Sequence, residues 1–336
     1  MSQINIVIIG AGDIAKRRHI PALLKSEHIN FYGVYNRHPE STRAIADKHQ
    51  VKAYESLDEV LSDTNVDAVL IATPPDTHEE LAVTALKRGK HVLLEKPMTL
   101  SVEEAVMIDK AAKESGRKLA LLHVQRFYPQ HAKAKELLEE GAIGDLLTIR
   151  TVLGNKDPEV LTHRQYPSWQ DALFNIGVHR ADLIRWLVGS KVEGVYAHVS
   201  RILAENTPGD KRETNDHAAA ILQFENGVVG TLIASKLSIH GEDRSTTLIG
   251  TKGAIITFSE GHDVVLKLSD GTVKYFDFET AHAQEVLELT DLHERFALSI
   301  LNDTDVDVTG KDGIESIRIV EAFEKADKEK HYQVVK

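Results

Sequence analysis

The stretch Ile4-Asn5-Ile6-Val7-Ile8-Ile9-Gly10-Ala11-Gly12-Asp13-Ile14-Ala15 decides how the chain is read. Its first half is an apolar run of strand length, and a helix is expected from about Ile14 to Lys25. Between them stands Gly-x-Gly-x-x-Ala, which marks a dinucleotide-binding turn when a strand precedes it and a helix follows. Gly10 permits the tight turn, Gly12 lets the backbone approach a pyrophosphate, and Ala15 lets the helix lie close on the strand. The unpaired N–H groups at the helix start, around Asp13 and Ile14, then face the phosphates. Glycine-rich strand ends are also ordinary turns. The correct flanks on both sides favour the cofactor reading, so Gly10, Gly12, Asp13, Ile14 and Ala15 are expected to hold NAD or NADP.

Moving outward, a second strand, about Asn30 to Tyr35, ends at Asn36-Arg37. An acidic residue here commonly bonds the ribose 2′-hydroxyl of NAD. Asn36 would not repel a 2′-phosphate and Arg37 would attract one, so the balance leans to NADP. Asparagine also bonds a free hydroxyl, and Arg37 also reads as a solvated turn residue. A helix over Pro39–His49 and a short strand at Lys52–Tyr54 follow. Val66 to Ile71 forms a buried strand that ends in Ala72-Thr73-Pro74-Pro75. Thr73 and Pro74 are expected beside the nicotinamide half of the cofactor. His78 is either a ribose contact or simply the first residue of a helix, Thr77 to about Arg88.

The next strand, His91-Val92-Leu93-Leu94, runs into Glu95-Lys96-Pro97. Proline cannot continue a sheet ladder, so Glu95 and Lys96 are expected at the carboxyl end of the strand. Ligands of open parallel sheets bind there, although a Glu–Lys pair in a surface loop is the plainer reading. Ser101-Val102-Glu103-Glu104 is a capping box opening a helix to about Ser115, and Leu119–Val124 is a last strand. Strands alternating with helices imply an α/β fold with a doubly wound parallel sheet.

Composition narrows the classes. A length of 336 residues points to two domains, taken as 1–124 and 125–336. A formal charge of -11 argues against nucleic acid or an anionic membrane as partner, and no apolar run is long enough to span a bilayer. The absence of cysteine excludes disulfides and thiolate metal sites. Strand-like sequence begins by Ile4 with no leader ahead of it, so a soluble cytoplasmic protein is expected. The 17 histidines invite a zinc site, but no His-x-x-x-His or His-Glu-x-x-His element occurs.

From Gln125-Arg126-Phe127 the pattern changes. A helix, about Gln130 to Glu140, precedes a strand over Asp145–Thr151 and a polar stretch, Gly154 to Gln170, of the kind that forms a lid or substrate loop. Period-2 strands follow at Val192–Arg201, His217–Phe224 and Val228–Lys236, which reads as a mostly antiparallel sheet. Helices near Val286–Asn302 and Lys311–Lys328 are expected to return to the first domain. Inside a helix from about Leu173 to Val188, Asn175 and His179 stand at i and i+4 and share a face, with Asp182 placed to orient His179. A lone helical histidine is more often a hydrogen-bonded core residue than a catalyst.

The succession Gly10-Ala11-Gly12-Asp13-Ile14-Ala15, Ala72-Thr73-Pro74-Pro75 with His78, and Glu95-Lys96-Pro97 resembles the glucose-fructose oxidoreductase/inositol dehydrogenase/rhizopine catabolism family. So do Asp216-His217-Ala218, Ile249-Gly250-Thr251-Lys252-Gly253 and the closing helix. The resemblance implies a Rossmann domain followed by an α/β domain with an open, largely antiparallel sheet. It also implies redox chemistry on sugars, cyclitols and related hydroxy compounds, and a homodimer or homotetramer formed through that sheet. By the same resemblance Lys96 and His179 are the expected catalytic pair. Asn175, and more weakly Arg126 and His163, are expected to bind substrate. The family pattern Asp-x-Gly-x-His-x-x-Asp has an aspartate where this chain has Asn175, and an amide cannot act as a base at neutral pH. That departure keeps a second expectation open: a cofactor-binding sensor or regulator on the same fold.

Overall fold

Six short strands pair in parallel around the fingerprint. In the computed structural model, residues 2–155, 171–202, 214–238, 241–259, 261–278 and 284–336 are described. The chain divides into two compact units, Met1–Phe127 with Thr280–Ile314, and Tyr128–Glu279 with Glu315–Lys336.

In the first unit the strands are β1 (Ile4–Ile9), β2 (Ile29–Tyr35), β3 (Lys52–Ala53), β4 (Ala68–Ile71), β5 (His91–Leu94) and β6 (Leu119–Leu121). Their order is β3-β2-β1-β4-β5-β6, and every pairing is parallel. This is the dinucleotide-binding order, which reverses direction between β1 and β4. All four residues of β4 are buried, as expected of a strand covered on both faces.

The connecting helices are α1 (Ile20–Leu23), α2 (Pro39–His49), α3 (Leu57–Ser62), α4 (His78–Lys87) and α5 (Val102–Ser115). The Ser101 hydroxyl accepts the Glu104 N–H and Gly116 closes α5 in the left-handed conformation, as the capping box predicts. Two differences stand out. The helix after the fingerprint opens with a π turn, Ala15–His19, before α1 begins. And α3 was not expected, although Ser56-x-x-Glu59 is itself a capping pattern, with Ser56 accepting the Glu59 N–H.

The second unit holds α6 (Pro129–Glu139), α7 (Val178–Val188) and nine strands. These are β7 (Leu146–Gly154), β8 (Val192–Ser200), β9 (His217–Phe224), β10 (Val229–Ser235), β11 (Thr246–Gly250), β12 (Gly253–Ser259), β13 (His262–Leu268), β14 (Val273–Phe276) and β15 (Gln333–Val334). The order is β14-β13-β12-β11-β7-β10-β9-β8-β15, antiparallel throughout except where β7 meets β10. Register sorts the two faces. Ile149, Val195, Leu222, Leu232, Leu248 and Ile255 are buried on the inner face, against α6 and α7. Tyr196, Ile221, Val229, Ile233, Ile249 and Tyr275 are exposed on the outer one.

The last two helices are α8 (Gln284–Leu301) and α9 (Gly310–Glu329). The first unit takes α8 and only the opening turn of α9, whose residues from Glu315 belong to the second unit. The opening turn lies tight on the first unit because it carries glycines. A Cβ at Gly310 would stand 2.6 Å from Asp109 Oδ1, and one at Gly313 would stand 2.5 Å from Met98 Sδ. No helix among the described residues is long and apolar enough to cross a membrane.

Candidate active site

Register in the first unit lines up the ends of four strands. Tyr35 pairs with Ile9, Ile9 with Ile71, and Ile71 with Leu94. The next residue of each strand then stands in one row at the carboxyl edge: Asn36, Gly10, Ala72 and Glu95. Backbone bonds continue the ladder through that row, from Gly10 N–H to Tyr35 O, Ala72 N–H to Ile9 O, and Glu95 N–H to Ile71 O, at 2.9–3.0 Å. Three sequence motifs far apart in the chain are thereby fixed side by side.

The turn at Gly10–Ala15 fits a dinucleotide pyrophosphate. Gly10 has φ +92°, and a Cβ there would lie 2.6 Å from Thr73 Cγ2 and 2.8 Å from Ala72 O, so only glycine fits. At Gly12 a Cβ would meet no protein atom within 4 Å, which leaves room for a group pressed against the backbone. Gly12, Asp13 and Ile14 are exposed, whereas Ala15 is fully buried against the sheet. The Asp13 carboxylate pairs with Arg17 at 3.1 Å.

Asn36 is half-buried at the end of β2. Its N–H donates to Thr42 Oγ1 at 3.1 Å, and its amide Nδ2 leans on Ser41 Oγ at 3.4 Å. Arg37 beside it is exposed. Thr73 is half-buried and Pro74 exposed, and Thr77 donates to Thr73 Oγ1 at 2.7 Å.

His78 is the first residue of α4, as one of its two readings has it. It is fully buried, with Nε2 2.9 Å from Thr73 O, and Nδ1 3.0 Å from Pro97 O and 3.2 Å from Met98 O. It braces the loop after β4 against the loop after β5. Burial holds its imidazole below the ordinary range, opposed by the carbonyls around it.

Glu95 and Lys96 are half-buried, and the Lys96–Pro97 peptide is cis. Glu95 divides its oxygens. Oε2 accepts the Lys96 backbone N–H at 2.8 Å, and Oε1 lies 2.9 Å from His19 Nε2. Burial alone would raise this carboxyl. The His19 bond and the Lys96 charge outweigh it and hold the group below the usual carboxylate range. Behind His19, across 3.2 Å, stands His293 of α8, and the two rings stack. Sequence reasoning missed both histidines. The signal was present in Ala15, His19, Ala22 and Leu23, which form one buried helix stripe with a histidine set among apolar residues.

Arg126 is also tied down within this unit. It is 8% exposed, with Nη2 3.1 Å from Asp312 Oδ1.

In the second unit, Asp171 opens the helix read as catalytic. Its Oδ1 accepts the N–H groups of Leu173 and Phe174, each at 2.8 Å. The first turn, Ala172–Gly177, is π-helical and passes directly into α7. Asn175 lies in the π turn and His179 in α7, so the expected i, i+4 spacing crosses a change of winding. Both side chains are half-buried, while Ile176, Val178, Arg180 and Asp182 are buried. Burial pushes the Asp171 carboxyl up to about 6, against the pull of its two N–H donors. Sequence reasoning passed over this capping aspartate, although Asp is a preferred N-cap. His163 lies outside the described residues, as does the polar stretch from 156 to 170.

Residues 4–123 match the GFO_IDH_MocA model, described as an oxidoreductase family with an NAD-binding Rossmann fold. Residues 131–256 match the GFO/IDH/MocA C-terminal domain. The NAD(+)-dependent scyllo-inositol 2-dehydrogenase of Bacillus subtilis (strain 168) is 31% identical over 264 residues, 75% of this chain and 74% of that protein. The chain belongs to the GFO/IDH/MocA oxidoreductase family. Another GFO/IDH/MocA relative, a myo-inositol 2-dehydrogenase of Thermotoga maritima, is 29% identical over 74% of each chain. The fold superposes on scyllo-inositol dehydrogenase from Lactobacillus casei, solved with NAD(H) and scyllo-inositol, with a TM-score of 0.85 at 24% identity, covering 99% of each chain.

Proposed function

We propose that this chain is an NAD(P)-dependent dehydrogenase/reductase that interconverts a hydroxyl and a carbonyl group on a sugar, cyclitol or related small hydroxy compound. The observation that carries the reading is the row at the carboxyl edge of the first sheet. There a dinucleotide turn, Thr73-Pro74 and Glu95-Lys96 stand on adjacent strands. When bound, the nicotinamide cofactor supplies the hydride acceptor or donor. The chain binds and orients it through the N–H groups of the Gly10–Ala15 turn.

His179 is assigned the proton of the reacting hydroxyl, because an ordinary imidazole titrates near neutrality. Lys96 is assigned to hydrogen-bond the reacting oxygen and stabilise its developing negative charge. Asn175 takes a substrate hydroxyl as donor or acceptor, with Arg126 and His163 as further substrate contacts. Asn36 and Arg37 suit a 2′-phosphate, so NADP is the preferred cofactor. We assign the exposed apolar outer face of the nine-stranded sheet to a homodimer or homotetramer, and the protein to the cytoplasm.

The test is a fluorescence titration with NADH and NADPH, followed by a screen of inositols, aldoses and other polyols with the tighter cofactor. Turnover of at least one polyol is expected. Tight cofactor binding with no turnover on any of them would favour the sensor reading, which the amide at Asn175 keeps in play.

A further inference from the structure

The Glu95 carboxylate has a built support behind it that the roles above do not use. His19, on the π turn after the fingerprint, and His293, on α8, are both fully buried. His19 touches Glu95 through Nε2 at 2.9 Å and His293 through Nδ1 at 3.2 Å. His293 Nδ1 is buried and meets no hydrogen-bond partner among the described residues.

These contacts fix where the protons are. If His293 carried its proton on Nδ1, an orphan N–H would be buried, which is among the rarer and costlier arrangements in a folded protein. The proton therefore sits on His293 Nε2 and is donated to His19 Nδ1. His19 then holds its own proton on Nε2 and donates it to Glu95 Oε1. Burial keeps His293 well below the ordinary imidazole range, in agreement with a neutral ring. Donation runs in one direction only, His293 to His19 to Glu95, and it ends on an oxygen whose twin accepts the Lys96 N–H.

We propose that His19 is a positioning residue for the Glu95–Lys96 element, holding the Glu95 carboxylate ionised and in one orientation, with His293 setting the tautomer that lets it do so. This deepens the dehydrogenase reading and rests on it for its effect on turnover. The charged and titratable groups facing the carboxylate are Lys96 on its own loop, His19 on the first helix and His78 on α4; His293 reaches it only through His19. Glu294, next to His293, is engaged elsewhere, with His28 Nδ1 at 2.9 Å. Without His19 the buried carboxyl loses its strongest donor, and its neutral form gains. A neutral Glu95 accepts less strongly from the Lys96 backbone and leaves the Lys96 ammonium without its neighbouring negative charge.

The test compares wild type with His19→Leu, which removes the donor, and His19→Gln, which restores an N–H near Nε2. In the ligand-free protein, the Glu95 carboxyl is followed by carbon NMR with glutamate labelled at Cδ, its signal assigned by Glu95→Gln. In His19→Leu it is expected to titrate about one pH unit or more above wild type, and in His19→Gln close to wild type. In turnover, His19→Leu is expected to lose about tenfold in kcat. The cofactor KM should stay within about twofold, and the acid limb of kcat should move to higher pH. An unchanged Glu95 titration in His19→Leu overturns the proposal, as does a loss of kcat with no movement of the acid limb. Should His19→Leu not fold, His293→Leu carries the test through the same titration, with a smaller upward movement expected and none overturning the proposal. If the wild type turns over no polyol, the dehydrogenase reading fails, while the carboxyl titration still decides the role of His19.

Discussion

In the first unit the residues assigned to the site stand one or two steps past the ends of parallel strands; in the second they stand on a helix that begins with a π turn. Gly10, Ala72 and Glu95 are placed by backbone hydrogen bonds whose register a side-chain change cannot shift by less than a whole residue. Asn175 and His179 are placed by winding, and their mutual angle depends on where the π turn gives way to α7. The lesson is that the first arrangement tolerates variation around it, whereas the second is tuned by whatever holds its opening turn. Here that is Asp171.

The largest effect expected from breaking either side is on turnover. Lys96→Ala and His179→Ala should each lower kcat by about 10²–10⁴-fold, the usual range for a lost proton-transfer or charge-stabilising group, with cofactor Kd nearly unchanged. Steady-state kinetics beside a binding titration checks this, and normal rates in both variants would remove the assignment.

Next is the turn itself. Gly10→Ala puts a Cβ 2.6–2.9 Å from Thr73 and the Ala72 backbone at a positive φ. A loss of about 2 kcal/mol or more in stability is expected, together with weakened cofactor binding. Denaturant unfolding and titration measure the two, and tight binding to a fully stable variant would contradict the register argument.

The second unit is probed through pH. The Asp171 carboxyl sits at about 6 in the folded chain, raised by burial above its unfolded value. A raised group contributes stability that is fully present below the unfolded value, near pH 4, and is lost as pH rises through about 6. Between pH 4 and 7, wild type should therefore lose roughly 2–3 kcal/mol from this group. Asp171→Asn keeps an oxygen to cap Leu173 and Phe174, and should flatten that slope. Parallel pH profiles for the two proteins would remove Asp171 from the account.

The smallest change sharpens the cofactor choice. Asn36→Asp adds a carboxylate at the end of β2 and should weaken NADPH binding about tenfold relative to NADH, about 1.4 kcal/mol. An unchanged ratio would show that Asn36 does not face the ribose.

Much of the first unit was legible because its signals are local. An apolar run, a glycine turn, a proline after Lys96 and a serine cap at Ser101 each dictate their own backbone, and the parallel order follows from their alternation. The bracing role of His78 was not legible, because sequence shows that it starts a helix, not that three carbonyls converge on it from two loops. His19 and His293 lie some 270 residues apart, and no local pattern announces that they stack. In the second unit the antiparallel sheet was legible from its period-2 strands. The π turn was not, because Ala172–Gly177 has no residue that forces wide winding; it follows from packing. The same holds for the division of α9, whose periodicity continues unchanged across Ile314.

One feature of the nine-stranded sheet bears on how the chain is made. β7 lies in the middle, yet both of its neighbours, β10 and β11, come later in the chain, and its parallel partner β10 pairs with it across about 80 residues. As the polypeptide leaves the ribosome, β7 emerges with two open edges and stays that way until β10 follows, after α7, β8 and β9. A molecule whose middle strand waits longest for company depends on prompt completion: a stall or truncation before β10 would expose an apolar strand with both hydrogen-bonding edges open, a template for aggregation rather than for a sheet.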